Sequence, residues 1–175
     1  MRRVRNTLAP FEDRIQIQDV VSDGPSALEL LASRKVYDVV VMDFQISGGL
    51  RGEALIRKIK EIDQTLQIIV ITKMTMNVSD FDFANRLLEA GAIWYCTKYP
   101  GDIEEFIYQP TDFILNIMNA AERRNLQRKS LRVSEKMKEN VDELLARKRI
   151  VGESETMQQL REQIENYADS NANVF

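Results

Sequence analysis

Residues 37–59 read YDVVVMDFQISGGLRGEALIRKI. Four consecutive apolar residues, Val39 to Met42, end at an acid, Asp43. A continuous β-branched run is what a strand buried on both faces requires. The next stretch, FQISGGLRG, carries three glycines and reads as a loop. From Glu53 the apolar residues Leu55, Ile56 and Ile59 recur at helical spacing, so Glu53 to Ile62 reads as a helix with that side inward. Strand, loop and helix in this order form the repeating unit of a parallel sheet.

The same unit recurs on both sides. Residues 1–11 read as a short helix with Val4, Leu8 and Phe11 on one side. IQIQDVV, residues 15–21, alternates apolar and polar, a strand signal. Ser22-Asp23-Gly24-Pro25 breaks it, and Ser26 to Lys35 reads as a helix with Leu28, Leu31 and Ala32 inward. LQIIVI, residues 66–71, is a strand ending at Thr72. Phe81 to Ala90 is a helix closed by Gly91, and AIWYC, residues 92–96, is a short strand ending near Lys98. The connection YPGDIEEFIYQP is longer than such units usually need. A long helix then runs from Thr111 to about Arg147. The fold class is α/β, a doubly wound parallel sheet with a long C-terminal helical extension.

Composition narrows the chemistry. The 175 residues contain no histidine and one cysteine, Cys96. That excludes a His-assisted hydrolase, a His-containing zinc site, an internal disulfide and a phosphohistidine carrier within this chain. No signal peptide and no run of 18 apolar residues is present, so the expected compartment is the cytoplasm, with no membrane partner. The net charge of -3 is unevenly spread. Residues 122–149 carry 10 basic and 5 acidic side chains, whereas residues 150–175 carry 1 and 5. The basic block has no Gly or Pro and reads as the solvated face of a connecting helix.

In a doubly wound sheet the chemistry sits at the carboxyl ends of the strands. Asp43, Thr72 and Lys98 occupy or closely follow three such ends, so the topology predicts all three on one rim. A carboxylate is a competent nucleophile toward a phosphoryl group. The resulting acyl phosphate adds charge and acceptor oxygens that a lysine and a threonine hydroxyl can meet. Tyr95, three residues before Lys98, is either an aromatic able to swing with the threonine or an ordinary strand residue.

These residues bring a resemblance with them. VVSDGPSALELL, YDVVVMDFQISGGLRGEALIRKI, LQIIVITK and EAGAIWYCTKYP resemble the receiver domain of two-component response regulators over residues 1 to about 121. The resemblance implies that Asp43 accepts phosphate from a sensor histidine kinase. Thr72 and Lys98 match the family's conserved-type hydroxyl and lysine positions, Tyr95 its aromatic switch, and Gly52 the glycine ahead of the third helix. It also implies magnesium, held by the acceptor, a backbone carbonyl (here that of Gln45) and two adjacent acids ending the first strand. That strand and its acidic pair would stand ahead of Met1, so the resemblance implies a sheet lacking its first strand and an incomplete metal set. A longer natural chain, a shortened one or a second subunit would each account for that. Glu12 and Asp13 are expected at the opposite rim. Ser47, and Tyr99 ahead of Pro100, depart from the family's usual prolines.

Beyond the receiver-like part, Leu126, Val133, Met137, Val141 and Leu144 give an imperfect coiled-coil seam, with Arg123 and Asn140 at would-be core positions. A homodimer through residues 111–147 would cover it. Residues 150–175 resemble the opening of the AAA+ domain of NtrC-type sigma-54 activators. No GxxxxGK[ST] phosphate loop occurs in the chain, so no ATPase activity is expected of it. The reading divides the chain into a receiver-like domain (1–121), a helical linker (122–149) and an AAA+ onset (150–175). Contacts with sigma-54 RNA polymerase and DNA would belong to other domains. Two functions follow. One is a phosphoacceptor that controls dimerisation and a downstream activator ATPase. The other is a phosphorylation-independent receiver-like module for dimerisation and protein interaction.

Overall fold

The structure, a computed structural model, describes residues 2–33, 36–47, 49–50, 52–73, 81–98, 107, 109–147 and 154–168. It divides into two units, Met1–Asn125 and Leu126–Phe175.

The first unit is built on three parallel strands: β1 (Val39–Asp43), β2 (Gln67–Lys73) and β3 (Trp94–Lys98), in the order β1-β2-β3. Helices α1 (Arg2–Leu8), α2 (Gly24–Ala32), α3 (Gly52–Ile62) and α4 (Phe81–Ala90) precede or join them, and α5 (Pro110–Arg147) follows. Successive strand residues point to opposite faces. Met42, Ile68 and Val70 therefore pack with Leu55, Ile56, Ile59 and Leu87, and with Leu28 and Leu31 of α2. Ile69, Ile71 and Cys96 pack on the other face with Leu8, Phe113, Ile114 and Ile117. Helices thus cover both faces, as the doubly wound reading requires. Ile56, Ile59, Ile68 and Ile69 have no exposed surface. Each such side chain contributes about 1.5–3 kcal/mol by leaving water.

Helix ends follow local chemistry. Asp23 caps α2: its Oδ1 accepts from the Ser26 N–H at 2.8 Å, and Pro25 occupies the first turn. Gly91 ends α4 at φ +109°, a left-handed conformation that favours glycine, while the Ala92 N–H returns to the Leu87 carbonyl at 3.0 Å. Pro10 turns α1 into a short 3-10 segment, Ala9–Phe11, and the buried Thr7 hydroxyl accepts from the Ile107 N–H at 3.0 Å. That bond anchors one described residue of the long connection; most of that connection lies outside the described residues.

Three expectations need correction. Residues 15–21 form no strand: they belong to no ladder, and Ile17, Val20 and Val21 are exposed. Alternation makes a segment competent to pair, but a ladder also needs a neighbouring strand about 4.8 Å away. The nearby pairing is a single parallel bridge, Asp23 to Ser47. Second, β1 reads as a strand buried on both faces, yet Val39, Val40 and Val41 are only half-buried; among the described residues β1 lies at a sheet edge, in keeping with the missing first strand expected from the resemblance. Third, α2 starts at Gly24 and ends at Ala32, and Ala32 is exposed rather than inward.

In the second unit, the α5 residues Leu126, Leu131, Val133, Met137 and Leu144 are exposed, and Val141 is half-buried. Helix α6 (Glu155–Ala168) is preceded by Ser154, whose carbonyl accepts from the Met157 and Gln158 N–H groups. Met157 and Ile164 are half-buried and Leu160 is exposed. Among the described residues no helix is long and apolar enough to cross a membrane.

Candidate functional site at the carboxyl ends of the strands

Strand register decides which residues share the rim. Asp43 is level with Ile71, Ile71 with Cys96, Thr72 with Thr97, and Lys73 with Lys98. Asp43 and Lys98 end β1 and β3, and Thr72 stands one residue before the end of β2, so the three lie at adjacent carboxyl ends, each offset by one residue from the last. Sequence positions 43, 72 and 98 meet on one rim because each βαβ crossover returns the chain in the same direction.

Asp43 is half-buried, and its Oδ1 accepts from the Gln45 N–H at 3.1 Å. This short turn holds the carboxylate at the mouth of the loop. Thr72 is buried at 5% exposure. The loop leaves the rim through Gly52, at φ +58°, where a Cβ would come within 3.0 Å of the Phe44 ring. Glycine is needed there for the backbone conformation and for the close approach of that ring.

Aromatic side chains link this loop to β3. Phe44 meets Phe83 of α4 edge-on, with ring centroids 5.0 Å apart. Phe83 meets Tyr95 in the same manner at 5.9 Å. The Arg86 guanidinium lies 5.8 Å from the Phe83 ring centroid and bonds Glu53 Oε1 at 3.2 Å, tying α4 to the first turn of α3. Phe44, Phe83 and Arg86 were not singled out from sequence. The available signal was the i, i+3 spacing of Phe83 and Arg86, which puts both on one side of α4.

A second polar cluster lies at the opposite ends of the strands. Arg124 of α5 is 3% exposed, and its Nη2 donates to Asp63 Oδ2 at 2.7 Å. Asp38, just ahead of β1, is 3.8 Å from its Nε. Burial opposes the charge on Asp63. Hydrogen bonds from Thr65 and the Arg124 charge nevertheless hold its carboxyl below the usual carboxylate range. Nearby, burial and then the Arg123 charge lower Lys60, whose Nζ donates to the Leu66 carbonyl at 2.7 Å.

Comparison with known proteins fits this arrangement. The model of the response regulator receiver domain matches residues 1–107. The chain belongs to the response regulator receiver family. No curated protein matches it by sequence. Among solved structures it is similar to NtrX from Brucella abortus, with TM-score 0.58 and 23% identity over 97% of this chain. NtrX in complex with ADP gives TM-score 0.57 and 25% identity over 96% of this chain. The chain spans about a third of the length of those NtrX chains: 33% and 32%. The receiver domain of Francisella response regulator 1452 gives TM-score 0.51 and 21% identity, covering 68% of this chain and 87% of that one. A receiver is a signalling module of two-component systems, and its general partner is a histidine kinase.

Proposed function

We propose that Asp43 accepts a phosphoryl group and that the change at the rim is passed to the helical extension. The register that brings Asp43, Thr72 and Lys98 to the carboxyl ends of three parallel strands is the observation that carries this reading. A carboxylate oxygen of Asp43 attacks phosphorus of a phosphohistidine. The P–N bond breaks, its electrons return to the imidazole, and an acyl phosphate forms. Thr72 supplies a hydroxyl and Lys98 a cation for the new oxygens. Tyr95, already against Phe83, is the aromatic whose position reports the change.

Residues 1–121 would form the receiver, residues 122–149 a helical linker and residues 150–175 a third part. The helix over residues 111–147 would pair with a second copy, covering Leu126, Val133, Met137, Val141 and Leu144. Residues 150–175 would open an activator ATPase domain of the sigma-54 class. Polymerase and DNA would be contacted by further domains of such a protein.

Magnesium fits poorly. Of the expected magnesium donors, Asp43 and the Gln45 carbonyl stand among the described residues, in which no group of three or more His, Cys, Asp or Glu gathers. A magnesium ion takes an octahedral oxygen set, usually with more than one carboxylate or with substrate phosphates. No step here passes through the ion. This donor set favours the second reading, a receiver-like module that acts by dimerisation and protein contact without phosphorylation.

Incubation of the full chain with a small acyl phosphate, with and without magnesium, separates the two. The first reading expects one added phosphoryl group. The second expects none, with dimerisation unchanged by the donor.

A further inference from the structure

Arg124 sits among apolar neighbours on the face that α5 turns to the sheet. Phe113, Ile114, Ile117 and Ala120 are buried on that face, and Arg124 with them at 3% exposure. Its Nη2 donates to Asp63 Oδ2 at 2.7 Å, and Asp38 Oδ1 lies 3.8 Å from its Nε. The Nε and Nη1 atoms are buried and meet no hydrogen-bond acceptor among the described residues.

Such an arrangement adds little to stability. Taking a guanidinium out of water is costly, and one hydrogen-bonded carboxylate repays it only in part. An apolar side chain of similar length would pack there without that cost. What a buried ionic group can add instead is specificity: it selects one packing among several of similar energy.

The competing packings are dockings of α5 one turn apart. A slip of four residues moves a helix about 6 Å along its axis and turns it by about 40°. In one direction it brings Ile117, Met118 and Ala121 to the places of Phe113, Ile114 and Ile117. All three newcomers are apolar, and Met118 already packs partly buried on this core. The fourth newcomer is Arg124, at the place of Ala120, which is 1% exposed. A small apolar site is a costly place for a guanidinium. The opposite slip brings Gln109 and Asn116 to the places of Phe113 and Ala120, and a slip of three residues in the first direction brings Asn116 and Arg123 there. Two polar residues oppose each of those slips. At these four apolar places, Arg124 alone opposes the first.

We propose that Arg124 is a register lock for α5. The apolar stripe supplies the docking energy of the helix, and Arg124 selects one of two dockings a turn apart. Without the guanidinium the helix populates both, as a discrete one-turn ratchet rather than a gradual loosening. Arg124 is a positioning residue in this sense, and the inference does not depend on phosphoryl transfer at Asp43.

Trp94, the single tryptophan of the chain, reports the register, because its ring centroid lies 6.4 Å from that of Phe113. The slip would put Ile117 there instead. The test compares Arg124→Met, Arg124→Lys and Asp63→Asn in the full chain, by NMR of Trp94 and by denaturant unfolding. In Arg124→Met a second indole N–H signal is expected, with about a tenth or more of the total intensity and with contacts to the Ile117 methyls in place of the Phe113 ring. Under fast exchange it becomes one averaged signal, displaced in proportion and showing both contacts. Arg124→Lys should restore the single signal, since an ammonium fits the place of Ala120 no better. Asp63→Asn should lower the unfolding midpoint and keep one signal, because the guanidinium still bars the slip. A purely structural ion pair would move midpoints and leave Trp94 unchanged throughout. One signal at the parent position in Arg124→Met overturns the proposal, as does a second signal that keeps its Phe113 contacts. Loss of folding in Arg124→Met also overturns it, because the arginine would then stabilise rather than select. So does a second signal of equal size in Arg124→Lys or Asp63→Asn.

Discussion

Arg124 reaches from α5 to Asp63 at the turn ahead of β2, with Nη2 and Oδ2 2.7 Å apart and the arginine almost fully buried. A long side chain from a helix otherwise apolar on this face has been drawn into the protein to meet one carboxylate. Breaking such a pair from one side leaves an uncompensated buried charge. Asp63→Ala is therefore expected to destabilise the first unit by about 3 kcal/mol. Arg124→Met should cost clearly less, because the remaining carboxylate is one-third exposed and keeps its Thr65 bonds. Denaturant titration of both variants checks the order; equal losses would contradict it.

Asp63 also predicts an acid limit. Its carboxyl is held below the usual value of 3.8 in the folded protein. The unfolded state then binds the proton more readily, so the stabilisation is full above that value and is lost as pH falls through the folded one. Stability measured from pH 6 down to pH 2 should fall less steeply in Asp63→Asn than in the parent chain. Identical slopes would remove Asp63 from the account.

Phe83 joins Phe44 to Tyr95. Phe83→Leu keeps most of the volume and removes both edge-on contacts, each worth about 0.5–1.5 kcal/mol beyond burial. A stability loss of about 1–2 kcal/mol is expected. Tyr95 fluorescence or ring chemical shifts should move more than those of Trp94, which lies on the opposite face against Phe113. A shift confined to Trp94 would contradict the link.

Gly91 sits at φ +109°, and an added Cβ would approach Lys60 Cγ within 2.9 Å. Gly91→Ala should cost about 1 kcal/mol or more in thermal or denaturant unfolding. Lys60 would have to shift from the Leu66 carbonyl. No measurable loss would mean that the α4 end relaxes freely.

Much of this was legible in sequence. LQIIVI and VVVM announced strands because buried parallel strands need no polar side, and Leu55, Ile56 and Ile59 announced α3 by their spacing. Asp43, Thr72 and Lys98 could be placed on one rim because parallel topology fixes where strands end. Residues 15–21 misled, since alternation reports the capacity to pair and not the presence of a partner. Arg124 was missed although its phase was readable: Phe113, Ile117, Ala120 and Arg124 follow one helical stripe, and its first three members are buried. Arg123, one position away, was assigned instead to a coiled-coil seam. The Phe44–Phe83–Tyr95 contacts join three separate elements, and no local pattern encodes them.

The central claim is that Asp43 is the phosphoacceptor. The most direct measurement treats the full chain with a small acyl phosphate, then reduces it with borohydride, which converts an aspartyl phosphate to homoserine. Peptide mass mapping should find homoserine at position 43 alone, and none in Asp43→Asn. An unmodified position 43 after this treatment, or modification that persists elsewhere in Asp43→Asn, would contradict the account.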